Sequence, residues 1–170
     1  QFYKNGTGVK FSGGTEGQLT HTLFTHNTTG IHIQDSTAEL TGNTINGGTT
    51  GLLIDGPEAY AEFIGDKNSF SGQSTHHISL INKAMDKKIL NATKTKFEGK
   101  YGTEMTEAEQ IALESKINHR MDTPDVGLVY VKPNTLVATK DNRGIQAGVD
   151  LSRYGGTLLV GKGEFNENVT

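Results

Sequence analysis

The chain of 170 residues has no cysteine, no tryptophan, only three prolines and no long hydrophobic run. Without cysteine, a disulfide framework and a cysteine metal site are both excluded. No apolar stretch approaches the roughly 20 residues that a membrane-spanning helix needs, so no membrane span is expected in this segment. The net charge of -3 comes from intermixed acids and bases without a basic stripe, and nucleic acid is therefore not an expected partner.

What the chain does contain is 22 glycines and an apolar frame that repeats at steps of 22, 21, 25 and 27 residues. Each coil has at its centre the pattern glycine, apolar residue, any residue, apolar residue, with further apolar residues before and after it. Equivalent apolar residues of successive coils form three columns: Phe2, Phe24, Ile45, Phe70 and Phe97; Val9, Ile31, Leu52 and Ile78; Leu19, Leu40, Phe63 and Ile89. A repeat of this length is typical of a solenoid, in which each coil packs only against its neighbours.

Within a coil, apolar residues two positions apart point to the same face of a strand, and turn-forming Gly, Asn and Thr lie between the strands. The residue between two apolar positions is expected to face solvent, as at Lys10, His32 and Ser79. In the fourth coil His77 replaces the glycine of the frame. Three short strands and three turns per coil predict an all-β fold, a right-handed parallel β-helix.

The frame is expected to stop after Phe97 and to be followed by a short helical connector. A capping box at Thr106 and Glu109 predicts a helix at about 107–119. Strands are predicted at 127–131 and 135–138, a short helix at 144–151, a strand at 155–160 and the start of another at 163–170. We therefore expect β-helix coils at 1–99, the connector and terminal strands at 100–139, and a capping helix with an opening strand at 140–170.

Residues 145–150, 156–160 and 163–169 together resemble the opening of right-handed parallel β-helix proteins, in which a short helix covers the first rung. Residues 1–98 resemble the later coils of that family, as in pectate-lyase-like and copper-chaperone-like periplasmic solenoids. Residues 117–122 followed by 127–129 are similar to a junction between tandem β-helix modules of large bacterial or archaeal surface proteins. The resemblance implies an excerpt of a longer polypeptide, or a protomer whose last strand completes the open end of a second copy.

The histidines raise the question of a metal site. His21, His26 and His32 fall within one coil, and His76 and His77 lie two coils later. His32 takes an outward strand position while His21 and His26 flank a turn. Their ligand atoms are therefore not expected to converge, and solvated turn and strand positions are the favoured interpretation.

Two further pairs are candidates for chemistry. His119 and Asp122 could pair, although a histidine at the helix C-terminus and an aspartate capping the next turn are favoured. Asp35 and Asp55 follow the repeated strand at one corner of successive coils, where they could approach within about 5 Å; Asp66 lies further on. The polygalacturonase motifs and the arginine-rich pectate lyase motif are both missing. An ordinary turn role is favoured, and no catalytic, cofactor-binding or metal residue is predicted.

Carbohydrate recognition would need exposed aromatic platforms, and the loop candidates are Tyr60, Tyr101 and Tyr154. Sequons for glycosylation start at positions 5, 27, 91 and 168, and turn chemistry alone explains the recurrence of the first two.

These observations favour a structural extracellular or cell-surface repeat module, not an enzyme, that forms a rigid stalk, an adhesin or a head-to-tail filament. Its expected partners are copies of itself joined end to end or tandem neighbouring modules, and no cofactor is expected. The alternative is a fragment of a polysaccharide-degrading or polysaccharide-binding β-helix protein, for which a polysaccharide would be the partner.

Overall fold

A computed structural model of the chain describes residues 1–65, 67–152 and 155–170, and short β-strands dominate it. In chain order the strands are β1 (Phe2–Tyr3), β2 (Thr7–Phe11), β3 (Glu16–Thr20), β4 (Leu23–Thr25), β5 (Thr29–Gln34), β6 (Thr37–Thr41), β7 (Thr44–Asn46), β8 (Thr50–Asp55), β9 (Tyr60–Phe63), β10 (Ser69–Ser71), β11 (His76–Ile81), β12 (Ile89–Asn91), β13 (Lys96–Phe97), β14 (Lys100–Tyr101), β15 (Ile117–Asn118), β16 (Leu128–Tyr130), β17 (Thr135–Ala138) and β18 (Thr157–Val160). The helices are α1 (Glu107–Glu114) and α2 (Gly144–Leu151), and a single 3-10 turn spans Gly102–Glu104.

The strands stack in parallel because each coil lays its strands beside their counterparts in the next coil. The first sheet contains β1, β4, β7, β10 and β13, with β14 added antiparallel at its end. The second sheet contains β2, β5, β8, β11 and β15, and the third contains β3, β6 and β9. Two further parallel pairs are β12 with β16 and β17 with β18. This stacking is consistent with the β-helix or solenoid that the repeat predicts.

Two of the three predicted columns are confirmed in register; in the third, Leu19, Leu40 and Phe63 are partners, whereas Ile89 pairs with Leu128 of β16. Val9, Ile31, Leu52 and Ile78 are successive strand partners, and so are Phe2, Phe24, Ile45, Phe70 and Phe97. Ile31, Leu52 and Ile78 have no solvent exposure. The rings of Phe70 and Phe97 stack with centroids 5.7 Å apart. Full burial of each such side chain contributes about 1.5–3 kcal/mol, so every coil depends on the next to cover its apolar face.

The glycine of the frame is required because the backbone of the next coil passes close to it. A Cβ on Gly30 would lie 2.6 Å from the carbonyl oxygen of Gly51, and one on Gly51 would lie 2.6 Å from that of His77. Any side chain at these two positions would therefore push neighbouring coils apart.

Buried asparagines connect the corners of successive coils. Asn43 donates from Nδ2 to the carbonyl oxygen of Leu19 at 2.8 Å and to Oδ1 of Asn68 at 3.1 Å. The N–H of Thr22 donates to Oδ1 of Asn43 at 3.0 Å, and Asn68 in turn donates to the carbonyl oxygen of Leu40 at 2.9 Å. This ladder satisfies backbone groups that the turns leave without a strand partner.

The prediction that the frame stops after Phe97 is wrong. β15 pairs with β11, which places Ile117 beside Ile78, and β16 pairs with β12. Residues 98–116 are therefore an excursion from a stack that continues. Within it, Thr106 and Glu109 form the predicted capping box at the start of α1. The helix ends at Glu114 and not near residue 119, because Ile117 belongs to the second sheet.

Two positions of the repeat differ from the prediction. Ser79 is 5% exposed and does not face solvent, since Asn118 of β15 lies beside it and donates to its Oγ at 3.2 Å. In the fourth coil Leu90, not Ile89, enters the core of the coils. Ile89 packs against a second apolar cluster formed by Met121, Leu128, Tyr130, Leu136 and Ala138.

The C-terminal part starts as predicted and ends differently. α2 occupies its predicted range, and β17 and β18 pair in parallel. No strand forms among residues 163–170, all of which the structure describes. Instead the Glu167 carboxylate accepts from the N–H groups of Ile145 at 2.7 Å and Gln146 at 2.9 Å, at the N-terminus of α2. Because this segment packs against its own helix, head-to-tail assembly through a free strand loses its support.

Neither of the two described helices has the length and apolar character needed to cross a membrane.

Candidate functional site: a buried histidine and carboxylate cluster

Among the described residues, one group of His, Asp and Glu side chains could converge on a single atom. It consists of Glu114, His119 and Asp122, whose ligand-type atoms all lie within 4.8 Å of one another. Glu114 ends α1, His119 follows β15, and Asp122 lies in the next turn. Because α1 ends at Glu114 and the chain turns directly into β15, residues five and eight positions apart meet in the interior.

Hydrogen bonds fix the position of each member of the cluster. Nε2 of His119 lies 3.0 Å from Oε1 of Glu114. The backbone N–H of His119 donates to Oδ2 of Asp122 at 3.1 Å, and the N–H of Asp122 donates to the carbonyl oxygen of His119 at 2.8 Å. Asn142 donates from Nδ2 to Oε1 of Glu114 at 3.1 Å and to the carbonyl oxygen of Val137 at 2.9 Å.

The protonation of His119 follows from its partners. The backbone N–H of Val129 donates to Nδ1 at 3.0 Å, so Nε2 carries the ring proton and donates it to Glu114. Burial would lower the pKa of His119, but the carboxylates of Glu114 and Asp122 and the bond to Glu114 raise it, and the net shift is upward. A second proton on Nδ1 would face the N–H of Val129, so the ring is neutral in this geometry.

The same hydrogen bond makes the cluster a poor metal site. A neutral imidazole that binds a metal through Nε2 carries its proton on Nδ1 and normally donates it to an oxygen atom. Here that proton would point at the N–H of Val129. The cluster is therefore a closed hydrogen-bond network, which joins α1, the turn after β15 and the loop before α2.

One edge of this network reaches a groove of about 330 Å³ that is lined by Glu114, Asp122, Lys140, Asp141 and Lys162, among others. Burial raises the pKa of Asp122 to about 6, with a further rise from the charge of Glu114, although the hydrogen bond from the backbone N–H of His119 acts in the opposite direction. The Asp122 carboxyl therefore changes its charge closer to neutral pH than an ordinary aspartate does.

The sequence prediction for His119 and Asp122 is confirmed in part. They lie together, and Asp122 caps the turn as expected. The predicted place of His119 at the helix C-terminus is wrong, because α1 ends at Glu114, and the His119 ring instead bonds the Glu114 carboxylate. Glu114 and Asn142 complete the cluster, and neither is marked as a site residue by any motif or spacing in the sequence.

The other histidines lie apart from this cluster. His21 and His26 are exposed, have left-handed backbone, and place their rings over Gly42 and Gly47. Nε2 of His32 lies 3.4 Å from Oδ2 of Asp55. Within the described part of the chain, the first three histidines belong to no group of three possible metal ligands.

The predicted equivalence of Asp35 and Asp55 is wrong by one residue. The register places Asp55 beside Gln34, and Asp35 adopts left-handed backbone with φ at 42°. The Asp35 carboxylate lies against Gly56, whereas Asp55 accepts from Nδ2 of Asn82 at 2.7 Å. Asp66 lies outside the described residues, so its position relative to these acids stays a prediction.

The tyrosine candidates and the sequon at Asn27 make contacts within the fold. The ring centre of Tyr60 lies 4.8 Å from Nζ of Lys88. Burial and, to a smaller extent, the charge of Glu62 raise the pKa of Tyr60. Tyr101 lies under two lysine side chains, and Tyr154 is outside the described residues. Asn27 is 2% exposed and donates to the carbonyl oxygen of Phe2, so the folded chain does not present this sequon.

Comparisons with protein-family models, with curated proteins and with solved structures find no match for this chain. The fold is mostly stacked parallel strands with two short helices, compatible with a β-helix. Its function has to be argued from its own residues.

Proposed function

We propose that the chain is a structural module of an extracellular or cell-surface repeat protein, folded as a right-handed parallel β-helix and serving as a rigid stalk or adhesin segment. The observation that carries this proposal is the continuous register of the apolar column that runs from Val9 through Ile78 to Ile117. Ile78 has partners on both sides, Leu52 and Ile117, and all three side chains are at most 3% exposed. Bending such a stack would separate strands that are hydrogen-bonded to both neighbours.

The buried cluster supports the same function. Glu114 accepts from His119 and from Asn142, and thereby ties the end of the coil stack to the C-terminal residues. A module that transmits force needs such a fixed connection at the point where its repeated coils end. The division into coils, connector and opening segment stays a prediction, and tandem modules are the favoured neighbours.

The test measures shape, mechanics and activity of the purified chain. Small-angle scattering should give an elongated particle, and pulling single molecules should give unfolding forces that fall when the Glu114–His119 bond is removed by mutation. Pectin and alginate should not be turned over. Robust turnover that Asp35→Ala or Asp55→Ala abolishes would overturn the structural role.

One observation favours polysaccharide binding as a second candidate function. A groove of about 400 Å³ crosses the outer face of the third sheet, lined by Glu16, Gln18, Glu39, Tyr60 and Glu62, among others. Glu39 lies directly beside Glu62 in register, and Nε2 of Gln18 donates to Glu39 at 2.6 Å. Adjacent acids with a tyrosine can accept hydrogen bonds from sugar hydroxyls. Retention of the chain on a polysaccharide matrix, lost in Glu39→Gln and kept in Glu107→Gln, would support this function.

A further inference from the structure

In the fourth coil a histidine takes the place of the frame glycine and faces a groove. The register aligns His77 with Gly51 and Gly30 of the preceding coils. Its side chain is 2% exposed, and its ring lies 5.8 Å from that of Phe97. A groove of about 300 Å³ between this coil and α1 is lined by both residues and by Glu98.

Hydrogen bonds determine which nitrogen of His77 carries the proton. Nε2 of Gln73 donates to the carbonyl oxygens of Ile45, Gly47 and Ser71 at 3.1, 3.1 and 2.9 Å. The amide oxygen of Gln73 must therefore be the atom that faces Nδ1 of His77 at 2.5 Å. An amide oxygen only accepts, so Nδ1 carries the proton, and in the neutral ring Nε2 presents a lone pair.

The atom that faces this lone pair is also an acceptor. Oε1 of Glu98 lies 3.4 Å from Nε2 of His77, and the N–H of Gly72 holds Oε1 in place at 2.8 Å. Burial lowers the pKa of His77 to about 4. The charge of Glu98 raises this pKa, whereas Lys116 and His76 lower it further, and the ring is neutral at pH 7. Two fixed acceptors at this distance repel each other and both attract a cation placed between them.

We propose that Nε2 of His77 and Oε1 of Glu98 form a two-ligand site for a divalent transition-metal ion of the zinc type, with water completing the coordination. Metal–ligand bonds of about 2.0–2.2 Å that meet at the tetrahedral angle place their donor atoms about 3.4 Å apart, which is the observed separation. The bond from Nδ1 to Gln73 is the outer support that a metal-binding imidazole normally has, and His119 lacks it. This site goes beyond the structural role and departs from the sequence prediction of no metal ligand.

The charged groups around the groove influence the affinity of the site for a cation. Lys100 is paired with Glu109 at 2.5 Å, which leaves Glu98 as the acid free to bind a cation. Lys116 donates to the carbonyl oxygens of Gln73 and Ser74, and its charge weakens cation binding. With one nitrogen and one oxygen ligand, the site favours Zn²⁺, Ni²⁺ or Cu²⁺ over Mg²⁺ and Ca²⁺, which prefer oxygen ligands only.

The test titrates Zn²⁺ into the whole chain at pH 7 by calorimetry and follows the ring nitrogens of His77 by NMR. We expect one ion per chain, a shift of Nε2 but not of the Nδ1 proton, and no response to Mg²⁺. Glu98→Gln should weaken binding at least about tenfold and retain the fold, since this side chain is 59% exposed. His77→Gly restores the residue of the preceding coils and should abolish the site.

His26→Gln is the matched control, because His26 is exposed and outside the groove, and it should leave the affinity unchanged. Three results would overturn the site: no saturable zinc binding to the wild type, equal binding by Glu98→Gln, or loss of binding in His119→Gln but not in Glu98→Gln. None of them bears on the structural role proposed above.

Discussion

The asparagine ladder makes a quantitative prediction about how the coils are held together. Asn43→Ala removes the acceptor of the Thr22 N–H and the donor to the carbonyl oxygen of Leu19. Asn43 has no solvent exposure, so water does not replace these bonds without opening the corner. A buried polar group left without a partner costs about 1–3 kcal/mol, and two such groups give an expected loss of about 2–6 kcal/mol in the free energy of unfolding.

The assay is thermal unfolding followed by far-UV circular dichroism. For a chain of this size, about 1 kcal/mol corresponds to roughly 2–4 °C, so the melting temperature should fall by at least about 4 °C. Asn46→Ala is the matched control, because Asn46 lies in the same coil at the exposed end of β7 and its loss should cost less than about 0.5 kcal/mol. If Asn43→Ala melts within about 2 °C of Asn46→Ala, the ladder does not hold the coils together and the reasoning fails.

Three further predictions concern close packing, the buried cluster and pH. Gly30→Ala should destabilise the chain by about 1–3 kcal/mol in denaturant titrations, since its Cβ would meet the backbone of the next coil. Gly6→Ala is the control, because a Cβ there has nothing within 4 Å, and it should be neutral or stabilising by up to about 1 kcal/mol. Equal effects of the two substitutions would contradict the close approach at Gly30. His119→Leu leaves the Glu114 carboxylate without its ring partner and should cost about 3–5 kcal/mol in the same titrations; a loss below about 1 kcal/mol would show that the network is not closed. Because the pKa of Asp122 is about 6 when folded and 3.8 in its reference state, the folded chain binds this proton more tightly, and the contribution of Asp122 to stability falls as pH rises through that interval. Asp122→Asn should therefore gain stability relative to the wild type between pH 4 and pH 7, and parallel melting profiles of the two proteins would refute this.

The sequence predicts the coil stack well because the repeat is a physical constraint. A column such as Val9, Ile31 and Leu52 can be read from spacing, since each coil has to bury its apolar face on the next. α2 was predictable for a similar reason, as an amphipathic stretch bounded by glycine. The end of α1 was not predictable, because Ile117 suits a helix as well as a strand, and pairing with Ile78 decides between them.

The register of the corners and the composition of the site were beyond sequence reasoning. Asp35 turns into left-handed backbone, which shifts it one place from Asp55, and no spacing rule reveals that. Glu114 and His119 meet because α1 ends between them. Asn142 joins them from 28 residues beyond Glu114, through the fold alone.

The two histidine sites differ in a way that the repeat itself explains. Where the frame glycine is kept, at Gly30 and Gly51, the next coil lies against the backbone and leaves no room for a side chain. At His77 the chain makes its excursion through residues 98–116 before β15 resumes the stack, and this excursion provides both Glu98 and the α1 wall of the groove. We therefore expect metal binding by this chain beside α1, where the excursion interrupts the coils.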